Sequence, residues 1–291
     1  MAVPTKALLL RKTLSLSPAL AKCHCPVIQL SRCLSTTFPA FQADGEDGKK
    51  QGLFSSLFVR KIEATHVTQS KLLSEPGDVY QIQFHSVKPE CMEAYLKQFG
   101  TFVDLMKSKD TGASLVGSWT VEIGDQDEAI HVWKYEGGYP VLNDATYIYR
   151  TDKDFIDFRL QRNKMLRARR NQIVLRFSFW PEPVQKDPGN IYEMRTYTLK
   201  PGTMIEWGNI WQRGIKHRMS GNEAIAGYFS HIGDLHQVHH FWSYKSLQER
   251  KEIRESAWVN PGWDETVAYT VPLIRTLQSR ILVPTPFSPL K

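Results

Sequence analysis

Regular alternation of apolar and polar positions starts at Tyr80. Tyr80, Ile82 and Phe84 stand against Gln81, Gln83 and His85, the period-two pattern of a half-buried strand. Lys88-Pro89 ends it, and proline suits a helix's first turn because its missing N–H had no partner there. The period then lengthens. Met92, Tyr95, Phe99, Phe102, Val103 and Met106 recur every three or four residues, an apolar helical stripe. Leu115 to Val121 and Ala129 to Tyr135 predict two strands around a Gly124-Asp125 turn. Ile148 to Arg170 predicts helix starting near Asp152, and Gln172 to Phe179 a fourth strand stopped by Pro181. The unit reads β-α-β-β-α-β.

The same order then returns. Tyr80-Gln-Ile-Gln-Phe-His-Ser-Val-Lys-Pro89 is echoed 112 residues later by Tyr192-Glu-Met-Arg-Thr-Tyr-Thr-Leu-Lys-Pro201. Gly124-Asp125 and His131-Val-Trp-Lys-Tyr135 come back as Gly233-Asp234 and His240-Phe-Trp-Ser-Tyr244, 109 residues on. Ile173-Val174 pairs with Ile281-Leu282 at an offset of 108. The second copy predicts a strand over 191–199, a helix over 203–218 and a hairpin over 224–244. Helix follows in 247–258 and 264–277, then a short strand over 280–283 and a proline-rich tail. Two copies are too few for a solenoid, and β-α-β-β-α-β is the ferredoxin-like order. The expected fold is α+β: tandem ferredoxin-like modules over 79–180 and 191–291, separated by a linker at 181–190 and packed as one intramolecular barrel with helices outside.

What precedes the first strand reads differently. Five of the 37 basic residues and none of the 30 acidic ones fall in residues 1–43, so the rest of the chain is nearly neutral despite a formal +7 overall. That removes the case for nucleic acid. The leader is rich in Leu, Ser and Thr and lacks acids, the composition of a mitochondrial transit peptide, expected to span 1–34. Its apolar runs are far shorter than the roughly 20 residues that cross a bilayer. After loss of Cys23, Cys25 and Cys33 only Cys91 remains, which cannot form an internal disulfide. Residues 35–78 form the expected flexible arm, beginning with a Gly-rich charged stretch. On it, Phe54-Ser-Ser-Leu57 has the aromatic-x-x-aliphatic spacing with which an extended peptide adds to a partner's sheet edge.

Candidate chemistry is sparse. His131, Trp133 and Tyr135 alternate along one strand and share a face, as do His240, Trp242 and Tyr244. If that face points into the barrel, the two ladders line an interior pocket for a flat hydrophobic ligand; the plainer alternative is that the rings fill the barrel. His231, His236, His239 and His240 lack the accompanying carboxylate or Cys of a metal site, and His239 and His240 point to opposite faces. No metal and no cofactor is expected. Phosphate loops and serine-nucleophile elbows are missing from the sequence, so nothing argues for those enzyme classes. The basic run Lys164, Arg167, Arg169, Arg170 reads as a solvated face rather than an anion or phospholipid site.

Several strings together are family-specific: Phe54-Ser-Ser-Leu-Phe-Val-Arg60, His131-Val-Trp-Lys-Tyr-Glu-Gly-Gly-Tyr-Pro140, Phe177-Ser-Phe-Trp180, Pro201-Gly-Thr-Met-Ile-Glu-Trp-Gly-Asn209 and Tyr269-Thr-Val-Pro-Leu-Ile274. From about Gly52 onward the chain resembles the NIPSNAP family. The resemblance implies a mitochondrial protein of dimeric α/β-barrel modules with no enzymatic activity. It also implies a part in mitophagy, recruiting autophagy receptors and ubiquitin-like autophagosome modifiers from the matrix or from the outer surface of damaged mitochondria. Phe54 and Leu57 are the candidate partner-binding residues. A barrel that binds or transforms a small aromatic metabolite is the alternative, and a homo-oligomer built through a free sheet edge is the third.

Overall fold

The computed structural model describes residues 68–186, 188–219 and 223–291. All belong to one compact unit, Glu63–Lys291. The expected transit peptide, the Gly-rich stretch, Phe54 and Leu57 lie outside the described residues.

Eight strands form a closed, wholly antiparallel barrel. In chain order they are β1 (Val79–Val87), β2 (Ala113–Ile123), β3 (Glu128–Tyr135), β4 (Leu166–Arg176), β5 (Ile191–Leu199), β6 (Ala224–Ile232), β7 (Gln237–Tyr244) and β8 (Ile274–Pro284). Around the barrel they run β1-β3-β2-β8-β5-β7-β6-β4. Each module supplies four neighbouring strands. The two seams are β2 with β8, where Val121 faces Leu282, and β4 with β6, where Leu175 faces Phe229. Because hydrogen bonding closes the ring, no sheet edge stays free, and the edge-paired oligomer loses its structural basis.

Tyr80, Ile82, Phe84, Trp119, Ile130 and Val132 from the first module meet Tyr192, Met194, Tyr228, Phe241 and Leu282 from the second in one buried interior cluster. Gly117 leaves room for it, since a Cβ there would stand 2.1 Å from the Trp119 ring. Phe84 is capped by the Arg170 guanidinium, 3.7 Å above its ring.

The helices cover the outer face. α1 is Gln69–Leu73, and α2 (Met92–Ser108) turns Tyr95, Phe99, Phe102, Val103 and Met106 inward, the stripe read from the sequence. Where one helix was expected there are two. α3 (Tyr139–Thr151) follows Gly137-Gly138, and α4 (Lys153–Met165) starts at Asp152, whose Oδ1 accepts from the Asp154 and Phe155 amides. The second module contributes α5 (Met204–Gly214), α6 (Leu247–Ser256) and α7 (Trp263–Thr270). β4 and β8 begin earlier than expected, taking over residues read as helix.

Both ends of the described chain are docked. Leu73, on the expected flexible arm, is 2% exposed and packs where only Gly208 leaves space. The tail after β8 has no regular structure, yet Leu290 enters the barrel cluster. There the Thr285 amide donates to the Ser118 carbonyl, and the Ser118 amide to Ser288 Oγ.

Candidate functional site

β3 and β7 are buried on both faces, by the barrel interior on one side and by helices on the other. In β3, Ile130 and Val132 point inward, so His131, Trp133 and Tyr135 necessarily face α2, α3 and α4. Trp133 and Tyr135 belong to the first module's sheet-helix cluster, and His131 stacks on Phe99 of α2 at 3.7 Å. Trp242 and Tyr244 likewise lie in the second module's sheet-helix cluster, and His240 touches Trp207 and Trp211 of α5. The expected placement of these ladders inside the barrel is therefore corrected. Strand alternation decides it: Ile130 and Val132 of β3 and Phe241 of β7 take the inward positions, which turns the neighbouring ladder residues onto the helices.

The four histidines that hinted at metal also disperse. His231 Nδ1 bonds Tyr139, and His236 holds a hairpin turn at a φ of 61°. His239 faces the barrel interior, with Nδ1 on Thr196 and Nε2 on Gln172.

Between the first module's sheet and its helices lies an open cleft of about 660 Å³. Its floor is the polar face of β1, Gln81, Gln83 and His85, continued by Arg169 and Asn171 of β4, and by Trp133 and Tyr135. α3 and α4 form the opposite wall with Tyr149, Arg150, Arg159 and Arg162. Arg169 arrives here because Leu166–Arg176 is strand: it sits opposite His85 in the register. Helical spacing, which had spread the basic run around a solvated surface, does not apply.

Behind the floor runs a buried chain of hydrogen bonds. Thr285 Oγ1 donates to Ser118 Oγ (2.9 Å), Ser118 Oγ contacts His131 Nδ1 (2.8 Å), His131 Nε2 contacts Tyr95 OH (2.8 Å), and Tyr95 OH contacts His85 Nδ1 (2.6 Å). Both histidines are neutral near pH 7. Burial, then the charge of Arg162, lowers His131 to about 3. Burial, then His131, Arg162 and Arg169, takes His85 well below its ordinary value. The one arrangement that satisfies every hydroxyl has Ser118 donating to His131, His131 Nε2–H to Tyr95, and Tyr95 to His85 Nδ1. His85 then carries its proton on Nε2, the nitrogen left for the cleft.

The second module lacks this arrangement. Counting along the repeat, His85 corresponds to Tyr197, Tyr95 to Trp207 and Ser118 to Gly227, so His240 has no hydrogen-bond partner on either nitrogen among the described residues. Trp180 occupies the space that Gly227 vacates, 2.4 Å from where a Cβ would stand. The second module's own pocket, of about 150 Å³, lies beside Tyr197, Trp211, Trp242 and Trp263.

Reading the sequence missed Arg159, Arg162 and the β1 polar face as site residues. One signal was available: Gln81, Gln83 and His85 are hydrogen-bonding groups on a strand whose surroundings are aromatic-rich, not water.

The NIPSNAP family model matches residues 192–289. Protein NipSnap homolog 2 of Danio rerio is 50% identical over 246 residues, covering 84% of this chain and 86% of that protein. Protein NipSnap of Drosophila melanogaster is 50% identical over 238 residues, with coverage of 81% and 87%. The solved structure of an anthrone oxidase-like protein superposes with a TM-score of 0.53 at 10% identity, covering 73% of this chain and 93% of that one, a likeness of fold alone. Identity at this level over more than four fifths of the chain, together with the duplicated modules, means that the chain belongs to the NIPSNAP family.

Proposed function

We propose that this protein is a non-enzymatic mitochondrial adaptor that acts in mitophagy and mitochondrial quality control by recruiting autophagy receptors and ubiquitin-like autophagosome modifiers. One observation carries this reading: the barrel is filled from both modules by large side chains, which leaves a rigid body whose working surface is its exterior. An interior so packed resists deformation and suits a scaffold. The arm ahead of it carries Phe54 and Leu57, the residues proposed to enter a partner's pockets. The test is capture of autophagosome modifiers by the full chain and by its Phe54→Ala/Leu57→Ala variant. The variant is expected to lose capture while unfolding at the same denaturant concentration; undiminished capture removes the arm from the mechanism.

A second reading, a small-molecule site, is favoured by the open cleft of the first module, of a size that ordinary ligand pockets share (about 300–1,000 Å³).

A further inference from the structure

The cleft carries charge that no described residue balances. Arg162 is 4% exposed, and its guanidinium donates only to neutral oxygens, Tyr149 OH at 3.0 Å and Asn163 Oδ1 at 3.1 Å. Its Nε is buried without a partner, as is that of Arg159. Among the described residues, no carboxylate lies within ion-pair distance of Arg150, Arg159, Arg162 or Arg169, and none lines the cleft. A guanidinium cannot shed its proton to escape burial, so an uncompensated one is costly. A bound anion would balance it.

The sibling module shows the alternative. Gln81 corresponds to Glu193, which lies fully buried 2.9 Å from Arg195 and 2.7 Å from Arg250. There the chain supplies its own anion and fills the remaining space with tryptophan. In the first module both the carboxylate and the filling are missing. The cleft also presents a donor, His85 Nε2–H, and its walls include the rings of Phe102, Trp133, Tyr135 and Tyr149.

We propose that the first-module cleft binds a small flat organic anion, an aromatic or conjugated body bearing phosphate or carboxylate groups, whose charge is taken by Arg159 and Arg162. This rests on the small-molecule reading and narrows it. The charged end would lie against α4 and His85, and the flat body against Trp133 and Tyr149.

Titration calorimetry of the full chain tests it with three probes: phenyl phosphate, inorganic phosphate and benzyl alcohol. Phenyl phosphate is expected to bind at one site at least tenfold more tightly than either of the others, and more weakly as salt rises. Two variants are then compared. Arg162→Met is expected to cut binding at least tenfold without lowering the denaturation midpoint, since it removes an unbalanced charge. Gln81→Glu installs the sibling's carboxylate and keeps the bonds that Gln81 Oε1 accepts from Gln83 Nε2 and Tyr135 OH. It too should cut binding at least tenfold, so a poorly folding Arg162 variant leaves the question decidable. Phenyl phosphate binding that survives Gln81→Glu overturns the proposal. Benzyl alcohol bound as tightly as phenyl phosphate overturns the anion but keeps a small-molecule site, whereas no binding of any probe sinks both.

Discussion

Replacing His131 and His240 by leucine, one at a time, sets two buried histidines at equivalent places in the duplication against each other. Both are completely buried, so loss of exposed surface cannot separate them. His131 bonds Ser118 and Tyr95, and His131→Leu leaves a buried hydroxyl without an acceptor and a phenol oxygen without one of its donors. At about 1–3 kcal/mol for each buried group left unsatisfied, with Tyr95 still engaged by His85, the expected loss is about 2–4 kcal/mol. His240 has no partner on either nitrogen and sits among Trp180, Trp207, Trp211 and Trp242. Its substitution releases about 1–3 kcal/mol of desolvation cost, against up to about 1.5 kcal/mol for the imperfect fit of leucine among rigid rings. The outcome should lie between neutral and modestly stabilising. Guanidinium denaturation of the full chain at neutral pH, followed by tryptophan fluorescence, reads the difference as a gap in midpoints worth about 2 kcal/mol or more, from the same per-group costs. Equal losses in the two variants would refute the reasoning, for they would mean that polar satisfaction does not distinguish the modules.

Two further outcomes follow from the same structure. His131 and His239 are each lowered to about 3, in both cases by burial first and then by neighbouring arginines, against an ordinary value near 6.5. Below that ordinary value the unfolded chain takes up protons that the folded chain refuses, so stability is fully present above about pH 6.5 and drains as pH falls toward 3. At pH 5 each histidine costs about 2 kcal/mol, and denaturant midpoints measured between pH 7 and 5 should fall accordingly; an unchanged midpoint would mean that the rings are not held neutral. Truncation after Pro284 removes the buried Leu290 and strips Ser118 of its Thr285 and Ser288 partners. The expected loss is about 3–6 kcal/mol in the same denaturation assay, and a cost under about 1 kcal/mol would show the tail to be merely laid on the surface.

The sequence disclosed the fold wherever one face of an element met water. α2 shows its stripe because its other face is solvated, and β1 alternates because its two faces have different partners. Reading failed where that contrast vanishes. β4 and β8, last strands of their modules, begin with exposed runs, Arg167–Asn171 and Arg275–Arg280 excepting the last residue, which is buried. Five successive exposed positions, four of them polar in each run, have no period of two, and Arg-Ala-Arg-Arg reads as helix. α3 was hidden by Gly137-Gly138 and Pro140, which resemble loop but serve to start a helix. The ladders were found, yet their direction was not legible, because in a barrel wrapped by helices both faces of a strand are buried. The arginine cleft was hidden for a related reason. Its residues come from β1, β4, α3 and α4, and only the register of β4 against β1 brings Arg169 to His85.

Duplication normally invites the expectation that two copies share one task. Here the differences between the copies are concerted. Where Ser118 became Gly227, Trp180 entered the vacated space; where Tyr95 became Trp207, the hydroxyl that would have bonded the neighbouring histidine went with it. Where Gln81 became Glu193, two arginines gathered on the carboxylate, and although burial pushes that acid up, its bond to Arg250 and the charge of Arg195 carry it down to about 2. Where the first module has Ser118, Tyr95 and Gln81, the second has packing or an internal ion pair, and its pocket is about 150 Å³. The first module retains its open cleft, its unpaired guanidinia and a buried relay reaching back to the C-terminal tail. An arrangement that leaves charge uncompensated lowers stability. That cost is confined to one of two otherwise parallel modules, while the remedy is written in the other, and the anion proposed for the first module's cleft would account for it.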